Sequence, residues 1–351
     1  MKRKINLKML VFSTCCMWAL TLILISCEKW TETEAVKIED PDIRTQNPEL
    51  YAAYLANLKA YKSSKHKIVY GWFDNRVKTP VNRGQHIENV PDSVDFVVLK
   101  SADNLTDREL QQMDALRNEK GTKVIFGFDY DGTKLAYDLR MDELKKEGKL
   151  TGSEKDFETY LSDTLQYTLQ LIDKYKYDGI IAGYRGKSST HMTDSEKETY
   201  SKREKIYLDL VSKWYSANKG KVLVFEGYPQ NLTDKTILAS CLHIILPDLD
   251  VKGKDKLSYN ILMTNVEGVP TDRYIVTAST VSLDKTDTKT GIFSDGSRAL
   301  AVTAGWAATT HSGYTVSGLG IYNMNNDYFN TYKVYQYTRE AINTLNPSII
   351  K

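Results

Sequence analysis

Asp74, Asp129, Glu226 and Asp248 each follow a short apolar run, and a carboxylate in such a place could move a proton or hold a hydroxyl. Trp72, Tyr130, Tyr184, Tyr228 and Tyr322 occupy equivalent positions, as do Asn323 and Asn325, with Lys100, Arg185 and Asp250 beside them. Flat rings cover C–H faces while carboxylates and amides bond hydroxyls, so the set has the chemistry that a sugar requires. A continuously apolar strand does not reveal which side looks inward. The same residues could therefore cap loops or point apart.

The elements that must position them alternate along the chain. "KIVYGWFDN", "VDFVVLK", "KVIFGFDY" and "DGIIAGYRG" read as the first four strands. "KVLVFEGYP", "HIILPDLD", "RYIVTAST" and "GLGIYNMN" read as the last four. Helices are expected over 48–64 and 156–175, and over 297–308 and 331–345. Two more open on capping boxes, Thr106 with Glu109 and Thr193 with Glu196. Apolar strands separated by helices imply a parallel sheet covered on both faces, and eight units favour a closed (β/α)8 TIM barrel in a single α/β domain over 48–351. An open doubly wound sheet is the alternative, but "GWFDNRVKTP" lacks the glycine-rich turn that usually follows its first strand. In such a barrel, ligands bind at the C-terminal ends of the strands.

The N-terminus reads as an export signal. Lys2, Arg3, Lys4 and Lys8 precede an apolar run from Met9 to Ile25, and Leu24-Ile25-Ser26-Cys27 resembles a lipobox. The expectation is a lipoprotein signal peptide over 1–26 and a mature chain lipidated at Cys27. A transmembrane anchor or an ordinary secretory signal are the alternatives. Residues 27–47 are polar and acidic, as a tether would be. They also resemble the export signal of surface lipoproteins in glycan-foraging Gram-negative bacteria, which implies lipid anchoring in the outer membrane at the cell surface. After cleavage only Cys241 keeps a free thiol, so no disulfide supports the fold. The scattered histidines and cysteines give no metal-site spacing, and no cofactor is expected. A net charge of +2 with no basic arm gives no case for nucleic acid.

"LQYTLQLIDKYKYDGI", running into "IAGYRG", resembles glycoside hydrolase family 18, whose fourth strand carries Asp-Gly-x-Asp-x-Asp-x-Glu. The first Asp and Gly of that motif fall on Asp178 and Gly179. The later acids fall on Ile181, Gly183 and Arg185, so the motif is degenerate. The lipobox, acidic tether and size also resemble the lipid-anchored, N-glycan-directed branch of the family. The resemblance implies chemistry in which the substrate's N-acetyl oxygen attacks the anomeric carbon. That needs a general acid and a carboxylate to orient the acetamido group. Residues at alternate strand positions share a face, so Ile181, Gly183 and Arg185 should line the lumen. An arginine cannot serve as the acid, because its pKa lies above about 12.

With its acids lost, the resemblance implies a pseudoenzyme that binds N-acetylglucosamine-containing glycans, of the N-glycan type, for an import system in the outer membrane. A divergent endo-β-N-acetylglucosaminidase using Glu226 or Asp129 as its acid is the second reading. A structural component of a glycan-import complex is the third. Against the second stands an expected salt bridge between Glu226 and Arg185 on neighbouring strands, since an interior guanidinium needs a partner.

Overall fold

The computed structural model describes residues 43–249 and 251–347. The signal segment, Cys27, the tether up to residue 42 and Asp250 lie outside the described residues. The chain divides into two compact units, Met1–Ala52 and Ala53–Lys351, and every strand belongs to the second.

Eight strands pair in parallel, each with its successor: β1 (Ile68–Phe73), β2 (Phe96–Leu99), β3 (Lys123–Asp129), β4 (Gly179–Tyr184), β5 (Val222–Gly227), β6 (Ile244–Leu246), β7 (Tyr274–Ser279) and β8 (Val316–Tyr322). β8 pairs with β1 and closes the barrel, so the open sheet is excluded. Among the described residues a four-residue helical turn, Ile43–Gln46, precedes the longer helices α1 (Pro48–Ser63), α2 (Asp107–Ala115), α3 (Tyr130–Lys146), α4 (Phe157–Lys174), α5 (Asp194–Ala217), α6 (Lys254–Thr264), α7 (Ala299–Ala308) and α8 (Gln336–Leu345). Short 3₁₀ turns replace a helix between β1 and β2 and again between β5 and β6.

The sequence explains where the helices begin. Thr106 and Thr193 each accept from the backbone N–H three residues on, and Glu109 and Glu196 return the bond. Each cap contributes about 1 kcal/mol. The sequence pattern does not mark α3 and α6. In α3 only Tyr130 is buried, so it carries no apolar stripe from which a period could be read.

Strand alternation divides the apolar residues into two layers. Tyr70, Trp72, Phe96, Val98, Ile125, Ile181, Val224, Ile245 and Ile275 pack inside the barrel. Val69, Phe73, Val97, Leu99, Ile180, Ala182, Tyr184 and Phe225 belong to the layer beneath the helices. This parity decides which polar side chains at the strand ends can reach a ligand.

Candidate glycan site at the barrel mouth

Asp129, Gly183 and Glu226 lie side by side in the register of β3, β4 and β5. With adjacent strands about 4.8 Å apart, the two acidic residues are separated by about 10 Å along the sheet, with only a glycine between them. A Cβ at Gly183 would stand 2.7 Å from the Phe128 carbonyl oxygen, a backbone atom that cannot step aside. The place of the motif's third aspartate is therefore closed to any side chain.

A cavity of about 400 Å³ opens above this row, within the range typical of ligand pockets. Ile181 and Gly183 line it from β4, and Trp72 and Tyr322 supply aromatic surface from β1 and β8. Their rings meet with centroids 4.4 Å apart at 58°. Gly320 makes room for the indole, since a Cβ there would lie 2.8 Å from the Trp72 ring. Polar groups enter from Lys100, Asp129, Arg185, Glu226 and Asp248.

Enclosure raises the Glu226 carboxyl to about 7. A hydrogen bond donated by the Tyr322 hydroxyl opposes that rise, as does the positive charge of Arg185, while Asp129 and Asp248 reinforce it. Burial also raises Asp248, whose Oδ2 accepts from Ser279 Oγ at 3.1 Å. Lys100 is lowered by burial and donates to Asn323 Oδ1 at 2.7 Å. The mouth thus holds an acid that changes charge near neutral pH, beside groups that can bond hydroxyls or an acetamido function.

The structure corrects the expected Arg185–Glu226 bridge. Arg185 pairs instead with Asp129, Nη2 to Oδ2 at 3.3 Å, and with Asp131, Nε to Oδ2 at 3.7 Å. Asp131 also accepts from the Arg185 backbone N–H at 2.7 Å and from that of Gly186 at 3.3 Å. Sequence reasoning missed Asp131, hidden in the first turn of a helix with no readable period. Its only signal was its place two residues after Asp129 at a strand end.

Two tyrosines also fall elsewhere than expected. Tyr130 and Tyr184 are 4% and 2% exposed, and their rings pack with Tyr207 in the outer layer. Tyr184 borders the cavity, but its hydroxyl is turned away to Glu204 at 3.0 Å. It sits one residue out of phase with Gly183 and Arg185. Tyr228 is half-buried outside the cavity lining. Asn325 acts as a loop clamp: its Oδ1 accepts from the Asp74 backbone N–H at 2.6 Å. Asp74 is turned to Arg76, whose hydrogen bonds hold its carboxyl below the usual range. Asp178 lies at the opposite end of the barrel, bonded to Arg117 and to the Val124 backbone N–H. Among the described residues no group of three His, Cys, Asp or Glu side chains is placed to hold a metal ion.

Comparison with known proteins agrees with this geometry. No curated protein matches the chain. A selenomethionine structure of BT1044, in a glutamate-to-glutamine variant, superposes with a TM-score of 0.63 at 20% identity, covering 88% of this chain and 96% of that one. The endo-β-N-acetylglucosaminidase from Cordyceps militaris in apo form gives 0.57 at 16% identity, with 84% and 96% covered. A Cordyceps militaris double mutant in complex with fucosyl-N-acetylglucosamine-Asn gives 0.57 at 15%, over the same shares. At these identities the likeness establishes the (β/α)8 fold. The family model described as glycoside hydrolase family 18, BT1044-like, matches residues 31–344, the span that carries every strand of the barrel. The chain belongs to the BT1044-like group of glycoside hydrolase family 18.

Proposed function

We propose that the protein captures N-acetylglucosamine-containing glycans of the N-glycan type at the barrel mouth and does not cleave them. The observation that carries this reading is the lumen-facing column of β4. Ile181 and Gly183 offer no acid, and Arg185 is engaged with Asp129 and Asp131. Because Gly183 is pressed against the Phe128 carbonyl, the lost aspartate has no space left to occupy. Loss of a general acid typically costs roughly 10²–10⁴-fold in rate, and no carboxylate remains on β4 to orient the acetamido group. The cavity nevertheless keeps its aromatic surface and its bonding groups, which are what retention of a sugar requires.

In this reading Cys27 carries lipid, and the acidic tether presents the barrel outside the outer membrane to partner proteins of a glycan-import system. The test is a glycan array on the soluble barrel domain, paired with a product assay on the glycans that bind. Retention without product supports capture. A folded domain that ignores every N-glycan and chitin-type oligosaccharide contradicts it.

One observation favours a second reading, a divergent endo-β-N-acetylglucosaminidase. Glu226 faces the cavity and is pushed up to about 7, the range in which a carboxyl can donate a proton at neutral pH. It lacks a partner on β4 to hold the acetamido group, and one of its oxygens already accepts a hydrogen bond from the Tyr322 hydroxyl. Product formation that disappears in Glu226→Gln would favour this reading over capture.

A further inference from the structure

A second hollow, of about 480 Å³, lies on the outer side of Tyr184, at the loops that follow β4 and β5. Tyr184 borders both spaces. The hollow is lined by three ammonium groups, Lys187, Lys197 and Lys235, by the hydroxyls of Ser188 and Ser201, and by one carboxylate, Glu204. One enclosed carboxylate faces three ammonium groups, so the lining keeps a net positive charge. Glu204 is 3% exposed, and burial raises its pKa. Its oxygens are also occupied, by the Tyr184 hydroxyl and by the backbone N–H groups of Thr233 at 2.7 Å and Asp234 at 3.0 Å.

Those bonds make a fixed floor. Asn231 Nδ2 donates to the Arg185 carbonyl at 2.7 Å, and the Tyr228 backbone N–H donates to that of Tyr184 at 3.0 Å, so the two loops are tied together. Above this floor Lys187 and Lys197 are exposed. Lys197 stands 3.5 Å from Asp194, a carboxylate that is wholly exposed and holds it only loosely, while Lys235 donates to the Leu232 carbonyl.

We propose that this hollow is a subsite for a negatively charged sugar, one bearing a carboxylate or a sulfate, on a glycan whose neutral part occupies the barrel mouth. The proposal rests on the capture reading above. Ammonium groups recognise either anion as point charges, and the hydroxyls around them suit the neighbouring sugar oxygens.

The experiment measures affinity for a sialylated biantennary N-glycan, its desialylated counterpart, and the desialylated glycan carrying sulfate. Wild type should bind the sialylated or the sulfated form more tightly than the neutral one, and the preference should shrink between low and high salt. Whichever anion is preferred identifies the source. In Lys187→Gln/Lys197→Gln, two exposed positions that leave the floor intact, the preference should fall roughly threefold to tenfold, with neutral-glycan affinity unchanged. Equal affinity of wild type for all three glycans would overturn the subsite while leaving capture standing. A preference that survives in the double variant would also overturn it. Failure of wild type to bind any of the three would instead remove the capture reading on which the proposal rests.

Discussion

The Tyr322 hydroxyl, at the end of β8, donates a hydrogen bond to Oε1 of Glu226, on β5, across the mouth of the barrel. The two residues are 96 positions apart in sequence and belong to strands that do not pair. Their contact exists only because the barrel closes. It joins the aromatic surface of the cavity to its most perturbed acid, and burial raises the Tyr322 phenol far above its ordinary range, with the Glu226 charge adding to the effect.

The enclosure of Glu226 sets a pH dependence, which this bond moderates. Glu226 has an ordinary value of 4.5 and lies near 7 in the folded protein. Between those values the folded state holds a proton that the unfolded chain releases. The stability that this proton confers is complete below 4.5 and is lost as the pH rises through about 7. The limiting slope is about 1.4 kcal/mol per pH unit for one such group. Thermal melts from pH 4.5 to 8 should therefore show Glu226→Gln gaining on wild type as pH rises. Parallel curves would mean that Glu226 titrates normally. Tyr322→Phe should raise the Glu226 pKa further, because it removes a bond to the charged form, and carboxyl NMR titration reads this directly.

Tyrosine substitutions should separate by layer. Tyr184→Ala empties a fully enclosed site in the outer core and should cost about 3–5 kcal/mol in denaturant unfolding. Tyr184→Phe loses the bond to Glu204 and should cost about 1 kcal/mol. Neither removes a ring from the barrel mouth. Tyr322→Phe keeps the ring against Trp72 but takes a donor from the enclosed Glu226, so glycan binding should persist while unfolding costs about 1 kcal/mol. Stability unaffected by Tyr184→Ala would place its ring wrongly.

The barrel was legible because its strands are short, apolar and separated by helical stretches, and because two helices announce themselves with capping boxes. The inward facing of Ile181, Gly183 and Arg185 followed from alternation once the motif fixed the phase of β4. That phase also sends Tyr184 outward, yet aromatic character at a strand end was read as a sign of the site. Tyr130 was misplaced because strand character was carried one residue past Asp129, where α3 begins. The partner of Arg185 could not be read, since neighbouring strands offer several carboxylates and only loop geometry selects among them. Asp129 and Asp131 share the guanidinium, and Asp131 also caps the backbone N–H groups of Arg185 and Gly186.

Repair of the β4 motif should fail for a steric reason as well as an electrostatic one. Arg185→Glu replaces the cation between Asp129 and Asp131 with a third carboxylate, so stability should fall and no hydrolysis should appear. Adding Gly183→Asp forces a Cβ into the Phe128 carbonyl, which requires β3 and β4 to move apart. The triple variant with Ile181→Asp should express poorly or unfold at lower denaturant than wild type. Robust turnover by Arg185→Glu alone would show that a single acid suffices.

The anchor is tested independently of the barrel. Cys27→Ala should abolish lipid labelling and membrane fractionation, and protease shaving of intact cells should remove the wild-type domain. Lipid on the variant would contradict the lipobox reading of Leu24-Ile25-Ser26-Cys27.

The most direct measurement incubates the wild-type barrel domain with an intact N-glycoprotein for long periods, following release of the cleaved glycan by mass spectrometry and retention of the glycoprotein by calorimetry. Capture at a mouth whose β4 column ends in a paired arginine predicts saturable binding with no released glycan. Sustained release by wild type, abolished in Glu226→Gln, would contradict it.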